Sequence, residues 1–190
     1  MKFVRATSWK EIFAGWKLRE ANDPGWIKCA TEVKGWPDWE SWRRFTAQQI
    51  GAEKLYWEIQ EFSDSMNEIS EMLIGPYSGW QARATEKNKN SFNDLVSIPE
   101  QFDYWKNVNK INSIIENFPS SAQMIGLIRD DNNKIVCIEG HHRATAVAVA
   151  KKLGKEINFK TPVQIAVAHI SADQVDMFDR VLARGTSKEN

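Results

Sequence analysis

Glu139, His141, His142 and Arg143 flank Gly140 in the stretch Ile135-Val136-Cys137-Ile138-Glu139-Gly140-His141-His142-Arg143-Ala144-Thr145-Ala146-Val147. An apolar β-branched run ends at the glycine, and a small-residue helix is predicted to open at the histidine pair. A helix start offers unpaired backbone N–H groups and the positive end of the helix dipole, so an anion there meets several donors at once. Arg143 can add a bidentate contact, and the imidazoles can add hydrogen bonds or proton transfer. Glu139, at a strand end beside cationic groups, has its carboxylate form favoured and can act as a general base or hold Mg²⁺. The competing readings are plain ones: histidines that cap the helix backbone, and a Glu139 ion pair with Arg143 or Arg129. A protein metal site is disfavoured, because adjacent helical residues point about 100° apart. The third histidine, His169, lies on another element.

The elements that must position this junction can be read around it. Ile125 to Arg129 and Ile135 to Ile138 are apolar runs joined by Asp130-Asp131-Asn132-Asn133-Lys134. Asp and Asn bond their own backbone and tolerate left-handed conformations, so this is a predicted hairpin. After the junction, Ala144, Val147 and Ala148 lead to Lys151, Lys152 and Gly154, a helix with cations at its negative end and a glycine stop. Pro162 to Ile170 reads as a buried strand. Ser171 with Gln174 carries a capping-box signature before a helix bearing Val175, Phe178, Val181 and Leu182, which Gly185 can end.

With these residues in place, the segment from about Asn109 to Ala150 resembles the ParB/sulfiredoxin superfamily. Members have a helix, a Pro-containing approach, a β-hairpin, and a Gly-x-[His/Arg]-Arg turn into a helix. The matching pieces here are Ile111 to Pro119, the hairpin, and Gly140-His141-His142-Arg143. Sulfiredoxins hold ATP phosphates at a Gly-Cys-His-Arg turn, and ParB-type clamps hold CTP phosphates at a Gly-Glu-Arg-Arg-like turn. The ADP-dependent free-serine kinases carry Asp-Gly-His-His-Arg, the version most similar to Glu139-Gly140-His141-His142-Arg143. The resemblance implies a phosphate or nucleotide site at Gly140, His142, Arg143, Ala144 and Thr145, with Glu139, His141 and His142 as catalytic candidates. ATP or ADP is the implied cofactor, with CTP as a variant and Mg²⁺ as a companion. Glu100 and Glu116 are further base candidates, because the family places acidic residues upstream of the turn.

Departures from the family pattern narrow the choice. His141 stands where sulfiredoxin needs its cysteine, which argues against sulfinic-acid reduction. Fewer than fifty residues follow the turn, too few for the DNA-binding domain that ParB proteins carry there. Glu139 replaces the kinases' Asp and reaches further. The kinase-like reading is favoured over the other two.

The half before the junction is dominated by tryptophan: all nine (Trp9, Trp16, Trp26, Trp36, Trp39, Trp42, Trp57, Trp80, Trp105) precede residue 106. Ser8 with Glu11 signals a helix whose inner face carries Trp9, Ile12, Phe13 and Trp16. Asn22-Asp23-Pro24-Gly25 is a turn, and Asp38 can cap a helix with Trp39, Trp42 and Phe45 inward. Between Leu55 and Leu73 the spacing argues for a helix, yet Lys54 to Ile59 also reads as a short strand and Asp64-Ser65 as a break. Tryptophans at helical spacing are read first as core rather than as a ligand cage, with an aromatic surface for a partner or base stacking as the minority reading. The loop Gly75-Pro76-Tyr77-Ser78-Gly79-Trp80-Gln81-Ala82-Arg83 is either a plain turn or a substrate loop facing the junction. In the second case Ser78, Gln81 and Arg83 are its candidate contacts.

Composition frames these readings. The 190 residues, 42% hydrophobic, fit one domain or a domain with an extension. Lys plus Arg and Asp plus Glu stand at 25 each, so the overall charge gives no footprint for nucleic acid. No run is long and apolar enough to span a membrane. Two cysteines without a framework point to a reducing cytosol, hence a cytoplasmic protein. The expected fold is α+β, a ParB/sulfiredoxin-like small mixed sheet with packed helices and an N-terminal helical, Trp-rich extension. Residues 1–100 form that extension, 101–185 the core and 186–190 a frayed tail, all in one unit. The expected partners are a nucleotide and a small-molecule acceptor, in phosphoryl transfer or nucleotide hydrolysis. The alternatives are a non-catalytic nucleotide- or partner-binding module and, more weakly, a ParB-like nuclease.

Overall fold

The hairpin turn shows how closely local chemistry dictates this structure, a computed structural model that describes residues 1–120 and 123–188. Asn133 takes a left-handed conformation (φ 56°), and the Asn132 side chain accepts from the Lys134 N–H. The strands it joins, β3 (Met124–Arg129) and β4 (Ile135–Glu139), pair antiparallel.

Before them come β1 (Lys2–Thr7), α1 (Trp9–Glu20), α2 (Pro24–Lys28) continued by a π turn, α3 (Trp39–Gln49) and β2 (Trp57–Glu61). The helices α4 (Ser65–Ser70), α5 (Ser78–Gln81), α6 (Phe92–Ser97), α7 (Pro99–Trp105) and α8 (Asn109–Glu116) follow. After β4 come α9 (His141–Lys152), β5 (Gln164–Ile170) and α10 (Met177–Arg184). The ambiguous stretch after Leu55 resolves into a strand and a short helix, with Asp64 capping α4 through the Asn67 N–H.

One five-stranded mixed sheet runs β1-β2-β5-β3-β4, with β5 and β3 parallel and the other neighbours antiparallel. Strand side chains alternate between faces, so a doubly covered sheet feeds two cores. On β5, Ala166, Ala168 and Ile170 join α1, α3 and α10 on one face; Ile165 and Val167 join α4, α6, α8 and α9 on the other. The protein is therefore α+β, with helices on both faces of its sheet.

Two expectations change. Residues 1–100 are not purely helical: β1 and β2 extend the same sheet that holds the C-terminal strands, because β2 pairs directly with β5. The short β1 lacked any strong alternation of polarity, and all but its last residue are exposed. The tail expected to fray is held at its start. Thr186 is buried, its carbonyl accepts from Trp36 Nε1 (2.8 Å), and the Lys188 N–H donates to the Lys34 carbonyl (2.9 Å). The rest of that expectation, residues 189 and 190, lies outside the described residues.

Candidate functional site

The junction forms as a strand–turn–helix. Strand β4 ends at Glu139, Gly140 turns the chain at φ 115°, where a side chain is strongly disfavoured, and α9 starts at His141. Among the described residues no side chain caps α9. The Ala144 N–H closes the first helical bond onto the Gly140 carbonyl (2.9 Å), so the amides that α9 offers a ligand lie before it, at His141 and His142. The cradle is thus narrower than the sequence implied. The Ala144 amide is occupied, and Thr145 is fully buried, away from the cavity wall, its hydroxyl without a partner among the described residues.

His141 faces inward. Its ring is buried, and Nε2 accepts from the Gly75 N–H (3.1 Å). An amide can only donate, so the imidazole is neutral with its proton on Nδ1, which faces Cys137 Sγ at 3.7 Å. Burial, with the nearby His142 and Arg43, pushes its pKa down to about 3. His142 is half-buried between Trp80 and Trp26, with ring centroids at 5.3 and 6.5 Å. Burial and the charge of Lys110 lower its pKa to about 4, so at neutral pH it is an uncharged hydrogen-bonding group.

The Gly75 loop does face the junction. Leu73 bonds both sides of the β4 edge: its N–H donates to the Ile135 carbonyl, and its carbonyl accepts from the Cys137 N–H. Tyr77 then donates its hydroxyl proton to the Ile138 carbonyl (3.0 Å). Pro76, Tyr77, Ser78, Gly79 and Trp80 form part of the cavity wall. Gln81 and Arg83 do not. Gln81 is buried, its amide donating to the Ile74 and Gly75 carbonyls, and Arg83 reaches Gln101 and packs on Tyr104. Glu100 and Glu116 are also absent from the wall.

The cavity, of about 510 Å³, is the size of a small-molecule site. Its opposite wall comes from the tryptophan-rich half: Trp16, Arg19 and Glu20 of α1, Trp26 of α2, and Trp42 and Arg43 of α3, with Lys34 and Lys110 beside them. Tryptophans read as core therefore do both jobs: Trp16 and Trp42 are nearly fully buried yet line the cavity. Five cationic side chains (Arg19, Lys34, Arg43, Lys110, Arg143) face two carboxylates, Glu20 and Glu139. Both carboxylates already pair with an arginine, Glu20 with Arg43 at 3.1 Å and Glu139 with Arg143. In a chain of balanced charge, this is a local positive excess suited to an anion.

Two of those cations converge. Arg19 Nη2 donates to the Gln123 carbonyl (3.1 Å), and Arg143 Nη2 reaches the same oxygen (3.3 Å). Like charges brought to one acceptor repel, and an anion between them relieves the repulsion.

The sequence missed Arg19, Glu20, Lys34, Arg43 and Lys110. A signal existed for two of them: Glu20 follows Trp16 by four, and Arg43 follows Trp39 by four, so each continues a buried helical stripe. Among the described residues, no group of three or more His, Cys, Asp or Glu is placed to hold a metal ion, and no helix is long and apolar enough to cross a membrane.

No family model, curated protein or solved structure matches the chain.

Proposed function

We propose that this protein binds the phosphates of a nucleotide at the start of α9 and transfers or hydrolyses a phosphoryl group. The observation that carries the reading is the convergence of Arg19 and Arg143 on one carbonyl beside the open start of α9. Phosphate oxygens would take the amides of residues 141 and 142 and the two guanidinium groups, while neutral His142 supplies one further hydrogen bond. Trp26 and Trp80 flank that position with aromatic surface. The strand–turn–helix at Gly140 also supports the resemblance to the ParB/sulfiredoxin superfamily, and with it ATP or ADP, or CTP, as ligand.

Phosphoryl transfer asks a protein mainly for positioning and charge stabilisation. An anion that draws Arg143 toward itself frees the Glu139 carboxylate. Glu139 then accepts the proton of an acceptor hydroxyl or water as that oxygen attacks the terminal phosphorus, and the shortened nucleotide leaves. Mg²⁺ commonly accompanies nucleotide phosphates and needs only one or two protein carboxylates, a role Glu139 fits once released from Arg143.

One observation favours the second reading, a binding module without turnover: Glu139 is mostly buried and ion-paired with Arg143. Release of inorganic phosphate, or phosphorylation across a panel of small hydroxyl compounds, separates the two. Turnover lost in Glu139→Gln with nucleotide binding retained supports the enzyme. Equal binding with no turnover in wild type assigns the module.

A further inference from the structure

The cavity has a second pole, built wholly from the tryptophan-rich half. Arg43 is buried among four indoles, its guanidinium carbon 3.9 Å from the Trp42 ring centroid, 4.7 Å from Trp16, 5.1 Å from Trp26 and 5.9 Å from Trp39. Among the described residues its sole oxygen partner is Glu20 Oε2, bonded through Nη2, and the same oxygen also accepts from Trp39 Nε1 (2.9 Å). A guanidinium carries five N–H donors, so most of this one's capacity is unspent in an apolar setting, where unspent donors are costly. Among the described residues Arg43 Nε finds no partner, and neither do Trp16 Nε1 and Trp42 Nε1, all three buried in residues that line this wall. Donors outnumber acceptors at this pole, and a ligand oxygen would redress the balance.

We propose that the Arg43 pole is a second anion subsite, separate from the phosphate cradle, that takes a carboxylate. A carboxylate is planar and matches the guanidinium fork, and indole faces suit a flat group. One negative charge is also the appropriate load. Glu20 already offsets Arg43, while Lys34 on the same wall supplies the excess that a singly charged ligand needs. Trp26 lies between the poles, near both Arg43 and His142, so the two subsites are neighbours within one cavity. This subsite depends on the cavity and not on nucleotide binding.

Acetate is the probe. The indole N–H signals of Trp16 and Trp42 are followed by ¹H–¹⁵N spectroscopy while sodium acetate is titrated, with sodium chloride at matched ionic strength as control. The expected result is a saturable shift of both signals in acetate only. It is weakened roughly tenfold or more in Arg43→Gln and unchanged in Arg143→Gln. A response identical in chloride, a shift that never saturates, or an acetate response retained in a folded Arg43→Gln overturns the subsite. If Arg43→Gln does not fold, the wild-type comparison of acetate with chloride decides. ATP titration of the same sample reports on the α9 cradle separately, so either site can fail alone.

Discussion

The Gly75 N–H donates to His141 Nε2 at 3.1 Å across 66 residues of sequence, and this bond fastens the loop wall of the cavity to the first residue of α9. The geometry leaves no spare room. A Cβ at Gly75 would run into the Cys137 carbonyl and crowd the His141 ring. Histidine at position 141 thus serves the site by holding its wall, while His142 faces the cavity.

Gly75→Ala is expected to cost about 2–4 kcal/mol, because the obstacle is backbone that cannot swing aside. Chemical denaturation measures the loss. Nucleotide binding should weaken as well, since the displaced loop carries Pro76 to Trp80 away from the cavity. An unchanged unfolding midpoint would contradict the close approach.

Acid should destabilise the protein through its buried histidines. His141 and His142 have folded pKa values of about 3 and about 4, below the ordinary 6.5, so the unfolded chain binds more protons in between. Their contribution is full above about pH 6.5 and falls as pH drops toward the folded values, by an amount on the order of a few kcal/mol. Denaturation midpoints between about pH 7 and about pH 4 test this. His141→Gln, whose side-chain carbonyl can still accept from Gly75, should flatten the dependence.

Lys110→Ala should raise the His142 pKa toward its ordinary value, since the Lys110 charge is one of the two causes that depress it. Imidazole chemical shifts followed against pH give the value directly. The exposed position of Lys110 leaves stability nearly unchanged.

Arg43→Ala should destabilise by about 3–5 kcal/mol, because it strands the Glu20 carboxylate in a buried setting. Adding Glu20→Gln should recover part of that loss. A double-mutant cycle showing no coupling would mean the pair does not act as a unit.

Much of the α+β framework was legible in local chemistry. The Asp130 to Lys134 hairpin, the Gly154 stop after α9 and the Ser8 and Asp38 caps all follow from short-range rules that the structure obeys. The junction at Gly140 was legible for the same reason. Hidden from the sequence were partners set by topology. That β2 lies beside β5, and that α1 and α3 face the start of α9, depends on contacts far apart in the chain. Hence Trp16 and Trp42 looked chiefly like core, and Arg19, Lys34 and Lys110, ordinary surface cations by pattern, gave no sign of sharing a cavity. Glu20 and Arg43 could have been suspected as charges on buried stripes. Gln81 and Arg83 were drawn toward the site by proximity in sequence, whereas their hydrogen bonds, to the Ile74 carbonyl and to Gln101, hold them elsewhere.

Calorimetric titration with ATP, ADP and CTP, with and without Mg²⁺, tests the central claim most directly, on wild type, Arg143→Gln and Arg19→Ala. Micromolar binding of at least one nucleotide is expected, weakened about tenfold or more in each variant because both guanidinium groups contact the same phosphate. Affinity should also fall as salt rises. No heat of binding from any of the three nucleotides to folded wild type, or binding that both variants leave intact, would contradict a phosphate site at the start of α9.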